Sequence, residues 1–591
     1  EGDGSLYVEV DGKSLDDLKQ ETKSPSAEPT KGTAIENKGT IEGQKLTFMA
    51  GDLYAQAFTN LNKVAASIPA SEEGKPEVQI AAASGKVTNE GTIEANGPST
   101  MANGPSTISI HAPDIESSGA ILAPSGHITL QSTGTTIVSG VIDASSASSP
   151  GSPGVPSASE GGTIHVLGNL VGLFDDALID ASGSAGGGEV LIGGDYQGGN
   201  GQWSVVSHQS SVPNAYRTYV SPDAVIRADA LQVGDGGTVI VWSDDITRFH
   251  GTITARGAPL TTSNGGFAEI SGKQTLIYRG QVDLTAENGT AGTVLFDPKN
   301  ITIEDGGSDV VADNDEFTEN FSDDASFDAD LITAITDAGT ALILQANNDI
   351  TVDEAIISNN AGGDGGTITL LAGRSILINA DITTDDGAFT ATANETAVNG
   401  VEDNERETGA AVITIDDGIT INAGDKDIQL QISTGAGLTN STSGDLTIEN
   451  LTTTGHVLLS NNGTTAGSGI VRFSADALIT ASSAVLDVTG GGGGGEIGSI
   501  GNEIRVTVTN LEARGQSAGI FIDSTQGVTI GEAILGGLTG ISTSSDGSAS
   551  LTAAGIISVR ESINTSGGTL TFNSGINEFI RDDAAIIENT G

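Results

Sequence analysis

Acidic side chains are the first candidates for chemistry, because they occur in adjacent pairs: Asp175-Asp176, Asp244-Asp245, Asp323-Asp324, Asp385-Asp386, Asp416-Asp417 and Asp582-Asp583. Carboxylates side by side can hold Ca²⁺, or act as acid and base on a polysaccharide. An enzyme acting on acidic polysaccharides also needs Lys or Arg for the substrate's carboxylates. Arg248 and His250 stand near Asp244-Asp245, but cations are sparse throughout. The pairs therefore read as solvated turn acids that keep a long molecule soluble, and the chain as non-catalytic. If a calcium ion binds, it is expected in the acidic stretch Glu304–Asp330, on Asp313, Asp315, Asp323 and Asp324, where backbone is least committed to strands. No other cofactor is expected.

The remaining motifs weigh less. Gly515-Gln516-Ser517-Ala518-Gly519 fits the G-x-S-x-G string of serine hydrolases, but that motif needs a helix after the serine, and strand-like Ile520-Phe521-Ile522 follows. Gly493, Gly495 and Gly498 match a dinucleotide fingerprint only because they sit in a polyglycine run. The six histidines, His111, His127, His165, His208, His250 and His456, never reach zinc-motif spacing. Aromatic residues gather once. Tyr196, Trp203, Tyr216 and Tyr219 share one insertion, where they pack as a cover or, if exposed, offer rings to sugar faces.

Composition narrows the partners. The net charge is −53, which opposes binding to nucleic acid or anionic lipid. Cysteine is absent, so disulfides, thiolate metal sites and cysteine nucleophiles are excluded. No apolar run approaches the roughly 18 residues of a membrane helix. The first residue is Glu1, with no basic-then-apolar leader, which reads as a processed chain or a portion of something longer.

The elements that must position these groups are short alternating strands introduced by glycine steps. Gly161-Gly162-Thr163-Ile164-His165-Val166-Leu167 returns as Gly187-Gly188-Glu189-Val190-Leu191-Ile192, Gly236-Gly237-Thr238-Val239-Ile240-Val241-Trp242 and Gly265-Gly266-Phe267-Ala268-Glu269-Ile270. Ala177–Gly183, Gly251–Gly257 and Gln281–Ala286 repeat a second strand. A period in the twenties built this way predicts an all-β fold, a right-handed, single-stranded parallel β-helix (β-solenoid) with loop and short-helix insertions. About 20 coils stacked at about 4.8 Å would extend on the order of 100 Å. Residues 1–30 read as weakly structured. Residues 31–303 form a first β-helical part with insertions near 53–80, 145–160 and 196–222. Residues 304–340 form an acidic insertion with a short helix at Ala329–Ala338, and 341–591 a second β-helical part. Ala55–Ile68 is read as a further short helix.

Residues 161–303 resemble the large exoproteins of the filamentous-haemagglutinin type, secreted by the two-partner route. The likeness is carried by GGDYQGGNG (Gly193–Gly201), VPNAYRTYV (Val212–Val220), Ile226–Gly257 and Gly265–Ile303, ending in Asp297-Pro298-Lys299-Asn300. Phe321–Val352 and Gly495–Ile522 echo it more loosely. The family's N-terminal secretion domain, with its Asn-Pro-Asn signatures, is not visible. The resemblance implies a bacterial cell-surface fibre segment, exported through an outer-membrane transporter. Its partners would be glycans or proteins of host or neighbouring cells, or copies of itself. Two other functions remain open: a sheath subunit polymerising end to end, and a polysaccharide lyase or hydrolase on a β-helix.

Overall fold

The computed structural model describes residues 5–10, 30–51, 54–68, 74–96, 105–146, 159–199, 212–306, 325–360, 362–490, 494–576, 578–582 and 585–589. Two compact units divide between Leu295 and Phe296. Period-2 alternation builds both. In Thr107–Ala112 and His127–Ser132 every second residue is buried, so Ile108, Ile110, Ile128 and Leu130 leave water entirely while Ser109, His111 and Thr129 face outward. A strand with one such face must find partners on both edges and a core behind it.

In the first unit the partner is the strand three elements further on. The coil His127–Ser132, Thr135–Val138 and Val141–Asp143 stacks on Thr163–Leu167, Leu170–Leu173 and Leu178–Asp180, by the registers His127↔Thr163, Thr135↔Leu170 and Val141↔Leu178. All pairings are parallel, so each turn of the chain contributes one strand to each of three sheets. This is a parallel β-helix. Inward residues form columns: Val64, Ile93, Ile121, Ile142, Ile179, Ile226 and Ile253 stack along the third sheet, all fully buried.

The corner after the second sheet changes chemistry along the unit. Asn37, Asn60 and Asn89 stack with amide-to-amide hydrogen bonds of 2.8 Å each, and Asn89 then donates to Ser117 Oγ at 3.2 Å. The same register position continues through Val138, Leu173, Val220, Phe249 and Tyr278, the last two rings stacked at 6.0 Å. A buried amide ladder is stable because each donor and acceptor has its partner in the next coil.

The Gly-Gly steps open the first-sheet strands at a crowded corner. The second glycine donates back to a small residue that closes the preceding coil, Gly188 to Ala181 O at 2.8 Å and Gly237 to Ala228 O at 2.7 Å. A Cβ on Gly188, Gly237 or Gly266 would lie 2.1 Å from the carbonyl oxygen of the preceding coil's glycine. Only glycine permits that approach.

The second unit repeats the scheme. Ile350, Ile376, Ile413, Leu446 and Ile470 form one of its columns, fully buried. A helix, Ala329–Asp337, replaces a strand in one coil, with Asp328 capping the Asp330 amide at 2.9 Å and Ile332 and Ile335 buried. The corners shift near residue 500. Glu496–Ile497 and Ile504–Thr507 both pair with the single strand Gly519–Ser524, while Asn510–Gly515 pairs with Val528–Ile530 and Ile541–Thr543. One straight edge thus replaces a bend, and a bend opens opposite a straight strand.

One expectation is corrected. Ala55–Ile68 is not a helix; the described residues there supply the strands Tyr54–Asn60 and Lys63–Ser67, followed by Glu77–Ala82. Inward Phe58 and Asn60 stack on Val87 and Asn89, and this pairing overrides the helix propensity of the alanines. Within 1–30, Ser5–Val10 is a strand in register with Lys45–Ala50.

Candidate functional site

The aromatic insertion leaves the first sheet after Glu189–Ile192 and returns as Arg217–Val220. Beneath it the outward positions of the first sheet are buried, and all but one are apolar. Leu191 stacks on Ile240 and Ile240 on Glu269, and Trp242 lies one outward position further along; all four are under 5% exposed. Tyr196, Val212 and Phe267 pack over this strip. Gly198, at φ +63°, turns the chain against the indole, since a Cβ there would lie 2.8 Å from Trp242.

Polar bonds pin the cover. Asp244 accepts from Trp242 Nε1 at 3.1 Å and from Asn214 Nδ2 at 2.9 Å, and Asn214 also donates to Gly198 O at 3.1 Å. The fully buried Glu269 accepts from the Gln197 amide at 3.1 Å. Asp245 receives Arg217 Nε at 2.7 Å. The acid pair Asp244-Asp245 therefore holds a loop down. Its cation is Arg217, not Arg248 or His250. Burial, with Arg279 and Arg248 nearby, pushes the His250 imidazole below its usual range.

Three of the four aromatic candidates lie among the described residues, each in a different setting. Tyr196 packs on Phe267 at 5.8 Å as part of the cover, and Trp203 lies outside the described residues. Tyr216 is 50% exposed, with the Arg217 guanidinium 5.2 Å from its ring. Tyr219 is half-buried on the second sheet between Phe174 and His250. Among the described residues, no ring contact joins Tyr196, Tyr216 and Tyr219 to one another. Asp313, Asp315, Asp323 and Asp324 also lie outside the described residues. Ser517 sits in a turn between the strands Asn510–Gly515 and Gly519–Ser524, without the helix a nucleophile elbow requires.

Next to the cover, the Gly236-Gly237, Gly265-Gly266 and Ala291-Gly292 corners of three successive coils form an open groove of about 480 Å³, lined by Asp235–Thr238, Asn264–Phe267 and Thr290–Thr293. Side chains tie its floor across coils: Asp235 accepts from the Asn264 amide at 2.7 Å, and Asn264 from the Thr290 amide at 3.1 Å. The lining offers carboxylate, amide and hydroxyl groups with Phe267 at one edge, and no Lys or Arg. Such a surface can hydrogen-bond a hydroxyl-rich chain and stack one ring face. The Gly-Gly recurrence was the sequence signal for this groove, since it brings equivalent positions of neighbouring coils together.

The second unit carries a comparable cover. Arg406, 4% exposed, donates to Gly373 O at 2.6 Å and Asn394 Oδ1 at 3.1 Å, while Asn347 and Asn348 accept from the Glu402 and Glu407 amides at 2.7 and 2.6 Å. Burial and the nearby Glu402 push the Asp297 carboxyl up to about 7. A scan against protein-family models finds no match to this chain, and a search of curated proteins finds no matching relative.

Proposed function

We propose that this chain is a segment of a secreted, bacterial cell-surface fibrous protein that acts in adhesion, without catalysis, and that the Gly-Gly groove of the first unit is a contact surface for glycans. The observation that carries the proposal is the groove itself: three coils present the same corner side by side, lined by hydroxyl, amide and carboxylate groups and one ring. The resemblance of residues 161–303 to filamentous-haemagglutinin-type exoproteins supports the surface location and export through an outer-membrane transporter. A non-catalytic role is supported by Asp244 and Asp245, whose oxygens are engaged by Trp242, Asn214 and Arg217.

The absence of cations from the lining favours neutral over acidic glycans, because an anionic chain would lie against Asp235 unpaired. Glycan-array binding by the whole chain tests this, with Thr238→Arg placing a long side chain across the groove. Neutral glycans should bind, and the variant should weaken them at least about tenfold, ~1.4 kcal/mol. Binding confined to acidic glycans, or binding unaffected by Thr238→Arg, would remove the groove from the account.

A further inference from the structure

The bend that opens opposite Asn510–Gly515 has a defined root. Leu511 pairs with Ile530 and Ala513 with Ile541, so residues 531–540 leave the sheet opposite the one position between them, Glu512. The Glu512 side chain points outward yet is only 1% exposed, because this excursion lies over it. Its Oε1 accepts from the Ala533 amide at 3.0 Å, near the start of the loop. The far end is held by the next coil: Glu561 Oε2 accepts from the Gly540 amide at 2.8 Å. Glu512 Oε2 is buried with no hydrogen-bond donor, and the Glu561 carboxyl, holding the other end of the same loop, lies close enough to favour the protonated form of Glu512.

We infer that residues 531–540 form a lid latched by one proton shared between Glu512 and Glu561. A buried carboxyl beside a second, part-buried one cannot ionise cheaply, and one proton converts the clash into a hydrogen bond. Burial first, and then Glu561, drive the Glu512 carboxyl up to about 7. With the proton present, each carboxyl keeps its amide and the lid stays closed. When it is lost to solvent, two anions face each other at the root. Opening lets water reach them.

The surrounding charges do not neutralise the pair. On the sheet beneath, Arg514 is committed to Asp487 by bonds of 2.9 and 2.7 Å. On the lid and the next coil, Glu532 pairs with Arg560 at 3.0 Å. Two coils back on the same sheet, His456 bonds Ser483 Oγ at 2.8 Å. Glycine marks both ends of the lid, Gly531 at φ +105° and Gly540 at φ +70°. Gly536 covers Val485 and Leu458, with a Cβ there 2.8 and 3.2 Å from them, while Ile534 is 71% exposed at the outside. Opening would uncover an apolar patch at Val485 and Leu458.

Hydrogen exchange of the whole chain, corrected for intrinsic chemistry, reads the latch directly in peptides spanning 531–541. With a closed-state midpoint about 7 and an ordinary open-state value, protection should fall about tenfold between roughly pH 6 and pH 8. Glu512→Gln mimics the protonated acid and should flatten this dependence while keeping the lid protected. Glu561→Gln should do the same should the first variant fold poorly, and His456→Gln should leave it unchanged. Protection independent of pH in the native chain would overturn the latch. So would an equal fall in both glutamine variants, or loss of the dependence in His456→Gln.

Discussion

Gly237→Ala isolates the reason for the Gly-Gly steps. Gly237 does not have a left-handed φ, so alanine brings no left-handed strain there. The obstacle is space: the new Cβ would lie 2.1 Å from Gly188 O and 2.8 Å from Gly187 C, both main-chain atoms of the preceding coil. Contact at an ordinary distance requires the coils to part by about 1 Å, an overpacking cost of about 1–3 kcal/mol. Parting also weakens Gly237 N→Ala228 O (2.7 Å) and Thr238 N→Gly188 O (2.9 Å), each contributing about 1 kcal/mol. The total is about 3–5 kcal/mol. Gly39→Ala is the control, since nothing lies within 4 Å of its Cβ, and its effect should stay within about 1 kcal/mol. In a stack of coils the damage concentrates on nearest neighbours. Native-state hydrogen exchange should therefore lose roughly two to four orders of magnitude of protection in Thr238–Ser243 and the strands beside it, and little in distant coils. Equal behaviour of Gly237→Ala and Gly39→Ala would refute the close-approach explanation.

Asn60→Ala should destabilise the first unit by about 2–4 kcal/mol in urea unfolding, because it strands the buried amides of Asn37 and Asn89. Trp242→Ala should cost about 3–5 kcal/mol by emptying the strip under the insertion; a loss under about 1 kcal/mol would mean the cover packs without it. Asp297 is raised to about 7 by burial and Glu402. Its folded value exceeds its unfolded one, so its contribution is fully present below about pH 4 and lost as pH rises towards about 7. Asp297→Asn should flatten that part of the pH–stability curve and melt higher than the native chain above neutral pH. Added NaCl should raise the melting temperature, since the net charge is −53 and the Debye length falls to about 10 Å at 0.1 M; an unchanged midpoint would show the charges too far apart to repel.

What was legible in the sequence followed local rules. Gly161-Gly162, Gly187-Gly188, Gly236-Gly237 and Gly265-Gly266 marked the first-sheet strands, because glycine is required wherever backbones nearly touch. Strands of the third sheet, such as Leu178–Asp180, showed through their inward Ile column. The second-sheet strand of each coil escaped. Its stacked positions carry Leu170, Arg217, Ile246 and Thr275, or Gly172, Tyr219, Arg248 and Ile277, so no residue type repeats. The amide ladder had a signal: Asn37-Lys38-Gly39-Thr40-Ile41 returns as Asn89-Glu90-Gly91-Thr92-Ile93. Glu512, Glu561 and Asp297 had none. They are unusual only because chain that leaves the ladder folds over them, and alternation cannot say where a loop lands.

The stacking of three-strand coils underlies every contact above, and the absence of native cysteine makes it directly measurable. Thr92 and Ala120 are outward-facing and directly in register, whereas Leu122 aligns with Glu94. Stacked positions lie about 4.8 Å apart, within disulfide reach, while an offset of two residues widens the gap to about 8 Å, beyond it. Under mild oxidation, Thr92→Cys with Ala120→Cys should cross-link rapidly, and Thr92→Cys with Leu122→Cys should remain reduced. Equal rates for the two pairs, or faster closure of the offset pair, would contradict the β-helical register.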